Sequence, residues 1–554
     1  MEKVTVLYEG KTYQVERGVS VREFLKAPDK PEYQDNPVIG ALINGEFKSL
    51  HYSLIYRSTT IEAIRLFSPL GKRIYRHSIC FLLSYAAACL FPQHHLEIGH
   101  SLGDGFYFEF TDSKAAKEEI EALSSFMKET ANKALPITRE KIPYPEAAEI
   151  FSKEAFRHTY QLLDTISDGD ITTYTLGKYY DMAYEPLVYN TSVLTVWDLR
   201  QYEDGMLLRY PQSNQFSAIK PFADNPLLFS VFRKTSSDNK ILKCESLGDL
   251  NRIILNGKAG ELIQLSEAMF NARIFDTAEK IHSRGTVKAV FISGPSSSGK
   301  TTFSLKLAQQ LRVLGYDPIK ISLDDYYFTR ELVPVDDEGK KDYEALEALD
   351  LSFFRQNLHD LIDNGKTLLP SFSFKENKRY MREEETVMHP SSILIIEGIH
   401  GLNPALTPEL DPSLCFKIYI SALTSMIIDD HNRISTTDNR MLRRLVRDNR
   451  TRAIPTEDTL SMWPSVERGE KNHIFPYQNN ADVMINSAMP YELSALAPQA
   501  MNLLRSVKPE SGYAFATARR LLKFLELICT IPATEIPADS ITREFLGGSI
   551  YESV

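Results

Sequence analysis

The stretch Val287-Lys-Ala-Val-Phe-Ile-Ser-Gly294-Pro-Ser-Ser-Ser-Gly299-Lys300-Thr301-Thr302 decides how the second half of the chain folds. Ala289, Val290, Phe291 and Ile292 form the continuous apolar run of a strand buried on both faces of a parallel sheet. Gly294, Gly299, Lys300 and Thr301 then meet the pattern G-x-x-x-x-G-K-T without a gap. Glycines let the backbone curl so that successive N–H groups point inward at phosphate oxygens. A helix N-terminus adds its own amides and dipole to the same anion. Phe303, Leu307, Leu311 and Leu314 recur at helical spacing, and Gly315 stands where a C-cap is wanted. The stretch therefore reads as strand, phosphate-binding loop and helix. Lys300 can reach the outer phosphates, and the Thr301 hydroxyl can ligate Mg²⁺.

Working outward, Ile319, Ile321 and Leu323 mark a second strand that ends in Asp324-Asp325-Tyr326-Tyr327. A third, Ile393 to Ile396, ends in Glu397-Gly398. Carboxylates at strand ends beside a phosphate loop are placed to act on a bound substrate or to hold Mg²⁺, directly or through water. Farther on, Arg440, Arg443, Arg444 and Arg447 fall at i, i+3, i+4 and i+7, which gathers four guanidiniums on one helix face. A solvated basic face or an RNA-binding stripe would read the same way. Guanidinium forks also neutralise a moving phosphoryl group, and a lid closing over a triphosphate is the preferred reading.

From about Val287 to Ala497 the chain resembles the uridine kinase/phosphoribulokinase family. The motifs that carry the resemblance are the phosphate loop, Asp324 with Tyr327, Glu397-Gly398-Ile399, the arginine-rich Arg440 to Arg452, and Asn480 to Ile485. The resemblance implies a kinase that uses ATP and Mg²⁺ and phosphorylates a hydroxyl of a small acceptor, a nucleoside 5′-OH above all. It implies that Asp324, Lys300, Arg443 and Arg447 act on the reacting groups. Arg440 would join Gly294, Ser296, Ser297, Ser298, Gly299, Lys300, Thr301 and Thr302 in holding ATP. Thr301 and Glu397 would hold Mg²⁺, and Asp324, Tyr327, Glu344, Phe372, Asn377 and Arg379 would line the acceptor site. Two departures touch that acceptor site. Tyr343 to Asp350 lacks the family's histidine and proline, and Phe372-Ser373-Phe374-Lys375-Glu376-Asn377-Lys378-Arg379 replaces its tyrosine and histidine by Phe372 and Asn377. Exchanging a pocket's polar partners costs it selectivity, so the kinase chemistry carries over and uridine as acceptor does not.

The front of the chain reads differently. Val4, Val6 and Tyr8 alternate, Glu9-Gly10 and Asn44-Gly45 supply turns, and Val38 to Ile43 and Ile61 to Ile64 suit strands. This resembles the ubiquitin-like TGS module of threonyl-tRNA synthetases. His77 to Leu83 and Gly105 to Phe110 resemble the editing-type domain that follows it. In that family the editing pocket uses two histidines, then a cysteine and a histidine flanking a glycine. Here His77 matches the first position, but Phe81, Thr175 and Tyr179 stand at the others. Phenylalanine neither binds a metal nor moves a proton, so hydrolytic editing is not expected. His94, His95 and His100 read as loop residues. Tyr179 to Tyr189 reads as packing, with base stacking as its alternative. Lys234 to Lys243 is polar and reads as a boundary.

The expected architecture is multidomain, α/β and α+β. It comprises a TGS β-grasp at 1–66, an editing-like domain at 67–235, a helical connector at 236–285, a P-loop NTPase-type parallel-sheet kinase domain at 286–505 and a helical tail at 506–554. A formal charge of −10 argues against a dedicated nucleic-acid binder. Five scattered cysteines without C-x-x-C spacing argue against a disulfide scaffold. No apolar run approaches membrane-spanning length. Cytoplasmic residence is the expectation, with a small-molecule acceptor as partner and the oligomeric state open. A second function class also stands: an RNA- or nucleotide-sensing regulator with the phosphate-loop domain as a switch.

Overall fold

The computed structural model describes residues 2–26, 36–151, 156–166, 168–211, 218–335, 339, 341–373 and 376–552. Phe374 and Lys375 of the acceptor-site motif lie outside the described residues. By contacts the chain divides into two units. The first comprises Met1–Lys258, Thr424–Ser435 and Ala497–Thr530, and the second Ala259–Leu423, Thr436–Leu496 and Ile531–Val554. This division departs from the expected segments at four places. The 236–285 connector is divided between the units, the 506–554 tail likewise, and two pieces of the expected 286–505 segment, Thr424–Ser435 and residues 497–505, go with the first unit.

The first unit opens with a five-stranded sheet, ordered Lys11–Glu16, Lys3–Tyr8, Ser58–Arg65, Val38–Ile43 and Glu46–Ser49. Lys3–Tyr8 pairs in parallel with Ser58–Arg65, and the other neighbours are antiparallel. Alternation sets its face: Val4, Val6 and Tyr8 are buried and Thr5 and Leu7 are not. Asn44 and Gly45 take φ of 51° and 76°, the positive pair a two-residue hairpin turn requires. A short helix, Val21–Leu25, begins with Ser20 and Glu23 capping one another reciprocally. This is the β-grasp.

Next comes a 22-residue helix, Pro69–Leu90, started by Ser68 and Pro69. Its Ile74, Ile79, Leu82 and Leu83 share a core with Ile98, Phe106 and Phe108 of a four-stranded antiparallel sheet. A three-stranded sheet of Thr138–Pro143, Asp170–Leu176 and Tyr179–Met182 completes the α+β part. Lys234 to Lys243 is corrected here: it forms the second half of the helix Pro226–Leu242, which Lys243 ends at φ 53°. Polar composition marked a solvated helix face, because Phe229 and Phe232 supply the buried stripe one and two turns earlier. Among the described residues no helix is long and apolar enough to cross a membrane.

The second unit is built on five parallel strands in the order Asp317–Ser322, Ser392–Glu397, Ala289–Ser293, Cys415–Ser421, Val483–Asn486. Ala289–Ser293 lies in the middle and is buried along its length, which is why its sequence is continuously apolar. The register sets Glu397 beside Ile292 on one side and beside Ser322 on the other. Three strand ends therefore open onto one edge of the sheet, where ligands of open parallel sheets bind. The helix Lys300–Val313 leaves that edge directly after the glycine loop.

Candidate phosphate-transfer site

The loop between Ser293 and Lys300 approaches other backbone so closely that only glycine fits at its start. A Cβ on Gly294 would lie 2.0 Å from the Ile420 carbonyl oxygen. Gly299 takes φ +84° as the chain turns into the helix. Three successive loop carbonyls are tied from outside. Arg440 Nε donates to Ser296 O at 2.9 Å, Arg443 Nη1 to Ser297 O at 3.2 Å, and Ser487 Oγ to Ser298 O at 2.6 Å. In a trans peptide the N–H points opposite to the C=O, so anchoring these carbonyls turns the amides of Ser297 and Gly299 the other way. Lys300 Nζ folds back onto Gly294 O and Pro295 O at 3.0 and 3.3 Å. The hydroxyls of Ser297 and Ser298 are buried without a hydrogen-bond partner among the described residues.

These contacts correct two of the expectations for the arginine helix, Thr436–Arg452. Arg443 is fully buried, and Glu492 Oε1 accepts from its Nε at 3.2 Å while Ser487 O accepts from Nη2 at 2.7 Å. Arg440 is paired with buried Glu470, which also accepts from the Ser296 amide at 3.1 Å. Both guanidiniums brace the loop from behind, Arg443 through Nε, Nη1 and Nη2 and Arg440 through Nε and Nη2. The other two behave as a separate set. Asp448, itself fully buried, accepts from Arg444 Nε at 3.1 Å and from Arg447 at 2.8 and 3.0 Å, with Arg452 at 3.7 Å. Burial opposes ionisation of Asp448, but Arg447, Arg444 and Arg452 outweigh it and hold its carboxyl below the usual range. Arg444 also donates to Ser296 Oγ at 3.1 Å, which brings this set to the loop.

The strand-end acids meet beside Lys300. Asp324 sits in a 3₁₀ turn, Leu323–Tyr326, whose start Ser322 caps: the Asp324 amide donates to Ser322 Oγ at 3.3 Å. The Ser322 hydroxyl in turn donates to Glu397 Oε1 at 3.4 Å. Withdrawal from water and then the Asp324 charge push Glu397 up to about 7, against the pull of Lys300. Asp324 is raised by desolvation and drawn down by Lys300, Arg452 and Arg447. Glu344 is raised to about 7 by desolvation and Glu470, and its Oε2 has no partner among the described residues. Among the described residues neither Asp324 nor Glu397 forms an ion pair, so like charges share a site that Lys300 faces, with Arg452 and Arg447 also acting on Asp324 and Lys320 on Glu397. A cation with a preference for oxygen fits such a donor set: Mg²⁺ binds through one or two carboxylates, keeps several waters and takes the rest from phosphates. Thr301, Glu397 and Asp324 are the residues that could hold it. Among the described residues no group of three or more His, Cys, Asp or Glu could hold a metal ion by itself.

On the acceptor side the structure revises two more expectations. Arg379 donates to Asp350 at 2.9 Å and to the carbonyls of Tyr326 and Tyr327 at 3.0 and 3.1 Å, so it fastens the turn that carries Asp324. Asn377 Oδ1 accepts from the Arg330 amide at 3.1 Å and shapes the loop. Tyr327 donates to the Tyr343 carbonyl at 2.9 Å, and the Phe372 amide to Asp325 at 3.0 Å. Glu344, within the electrostatic reach of Lys300 and Asp324, has one oxygen without a hydrogen-bond partner among the described residues. Sequence reading missed Glu470, Asp448, Glu492 and Ser487. Only Asp448 carried a local signal, an acid at i+4 from Arg444 inside an otherwise basic run.

With this geometry in view, the comparisons divide the chain as the structure does in kind. Residues 289–494 match the Phosphoribulokinase / Uridine kinase family. The kinase-family unit is thus the one that holds the phosphate loop. A possible uridine kinase from Bacillus stearothermophilus is similar to 39% of this chain over 98% of its own, at 18% identity and TM-score 0.27. D-glycerate 3-kinase from Cryptococcus neoformans aligns at 16% identity and TM-score 0.23, over 46% of this chain and 87% of its own. The threonine–tRNA ligase of Lawsonia intracellularis is 29% identical over 236 residues, 42% of this chain and 33% of that ligase. That of Polynucleobacter necessarius is 31% identical over 163 residues, 29% of this chain and 25% of the ligase. The chain spans about a third or less of the length of these ligases.

In the first unit, the positions compared with an editing pocket are filled. Phe81 and Tyr179 face one another with ring centroids 5.6 Å apart. Asp181 accepts from Tyr179 at 2.8 Å and meets His431 Nδ1 at 2.8 Å, and Thr175 bonds Thr138. His77 lies 3.4 Å from Glu185, and burial pushes its pKa down to about 3, so it is neutral. A space of about 20 Å³ is left among these residues, about enough for one water.

Proposed function

We propose that the kinase-family unit transfers the γ-phosphoryl group of ATP, with Mg²⁺, to a hydroxyl of a small acceptor, a nucleoside 5′-OH in the first instance. The observation that carries the reading is the meeting of Lys300, Asp324 and Glu397 at the ends of adjacent parallel strands, against a loop whose carbonyls are anchored outward. Thr301 and Glu397 would hold Mg²⁺, which would supply positive charge against the phosphates. The chain's own part is position and electrostatics. The inward amides of the loop and the Lys300 ammonium would hold the phosphates. Asp324, raised toward neutrality by its surroundings, would take the proton from the acceptor hydroxyl as that oxygen bonds to the γ-phosphorus and the bond to the β-γ bridging oxygen breaks. Arg444 and Arg447, oriented by Asp448, would neutralise charge on the moving group. Glu344, with an oxygen unpartnered, is the residue best suited to a neighbouring acceptor hydroxyl.

The losses at Phe372 and Asn377 leave the acceptor's ring without the polar partners expected of a pyrimidine site, so the panel that tests the reading must be wide. Nucleosides, sugars and small hydroxy acids incubated with γ-labelled ATP and Mg²⁺ should yield one class of labelled product. Absence of transfer to every acceptor, with ATP bound, would favour the second reading, a nucleotide-sensing regulator. The similarity of the front of the chain to threonine–tRNA ligases supports that alternative. A gel shift with tRNA at several salt concentrations separates them, because phosphate-driven binding weakens steeply with salt.

A further inference from the structure

The helix that follows the phosphate loop does not keep its first turn free. The first four amides of a helix have no partner within it, and in a phosphate loop these are the groups that meet the anion. Here Glu544, from the short C-terminal helix Arg543–Leu546, accepts from the Thr302 amide at 3.1 Å and from the Thr302 hydroxyl at 2.8 Å. Three further contacts seat the segment. Ile541 is fully buried and covers Gly299, where a Cβ would come within 2.6 Å of its Cδ1. One turn along the helix, buried Lys306 donates to Asp539 Oδ2 at 2.9 Å and to its carbonyl at 2.7 Å. From the arginine helix, Arg450 donates to the Glu544 carbonyl at 3.2 Å. A carboxylate thus stands on the same donors that a phosphate would use, held there by one apolar and two polar anchors.

We propose that residues 539–547 form an autoinhibitory strap, in which Glu544 occupies the phosphate position at Thr302 and nucleotide enters only as the strap lifts. This rests on the nucleotide-binding reading of the loop. Two anions cannot share one amide and one hydroxyl, and their charges repel in a site of low polarity, so strap docking and nucleotide binding exclude one another. Ile541 leaving Gly299 and Glu544 leaving Thr302 are then a single event.

The test uses the full chain and its Glu544→Gln variant, which keeps the side chain's shape and removes its charge. Binding of a non-hydrolysable ATP analogue with Mg²⁺ is measured by calorimetry. Releasing hydrogen bonds to a charged group should tighten binding about 10-fold or more in Glu544→Gln. In the unaltered chain, the analogue should speed amide hydrogen exchange over residues 539–547. Equal affinity in the two proteins, or unchanged exchange in a chain that binds the analogue, overturns the strap and leaves nucleotide binding intact. No binding by either protein overturns both readings together.

Discussion

Two buried polar centres, one in each unit, show opposite solutions to the same problem. Around His77 the buried Glu185 carboxylate is answered by cations of its own unit. Arg73, His77 and Arg520 surround Glu185, and although burial opposes ionisation they hold its carboxyl down at about 2. Around Lys300 the charges are not answered. Desolvation raises Glu397, Asp324 and Glu344 alike, the Asp324 charge adding to it at Glu397 and the Glu470 charge at Glu344. Among the described residues the Ser297 and Ser298 hydroxyls and one Glu344 oxygen have no hydrogen-bond partner. Burying polar groups without partners costs free energy, so a folded chain keeps such a set only where something outside it completes the set. In the first centre a carboxylate meets guanidiniums of its own unit; the second presents the donors and acceptors that the proposed reading assigns to phosphates and Mg²⁺.

The comparison can be broken most decisively at Asp324. Asp324→Asn should lower phosphoryl transfer about 10²- to 10⁴-fold, the range of a lost general base, while analogue binding survives. Unchanged turnover would remove its role. The mirror experiment is Glu185→Ala. Removing one partner of a buried charge set should cost the first unit about 3–5 kcal/mol, read by denaturant unfolding, with transfer unaltered. A large loss of transfer with stability intact would contradict the contrast.

Acid and alkali give a finer test, because the two centres respond with opposite signs. Glu185 sits near 2 when folded and near 4.5 when not, so its stabilisation is present above 4.5 and fades as pH falls toward 2. Glu397 sits near 7 when folded, so its contribution is present below 4.5 and is lost as pH rises through 7. Hydrogen exchange resolved by unit should show the first loosening in acid and the second loosening above neutrality, with Mg²⁺ and nucleotide removing the second effect. The smallest change is expected from Phe81→His. It restores one side chain of four in a space already filled, so hydrolysis of mischarged tRNA should stay at background.

What could be read in advance follows from how local each signal is. The places of the glycine loop, Asp324 and Glu397 at strand ends were legible because strand, turn and polar residue are contiguous. The roles of Arg440 and Arg443 were not. Helical spacing says that four guanidiniums share a face; it does not say that Glu470 and Glu492, 30 and 49 residues away, will claim two of them. Arg379 and Asn377 were misread for the same reason, since a motif position gives a side chain and not its partner. Glu544 carried no signal at all, because one acid in a short tail looks like any other.

The piece Thr424–Ser435 has one more consequence. It contributes Asp430, which accepts from the Thr159 amide at 2.8 Å, and His431, which meets Asp181. The front unit therefore cannot finish folding when its own first 258 residues leave the ribosome; it must wait for segments that follow more than 160 residues later and extend to Thr530. Such distant closure slows folding and leaves apolar surface bare meanwhile. A chain cut after Lys258 would leave a front fragment without Asp430 and His431, so the two units are inherited as one piece.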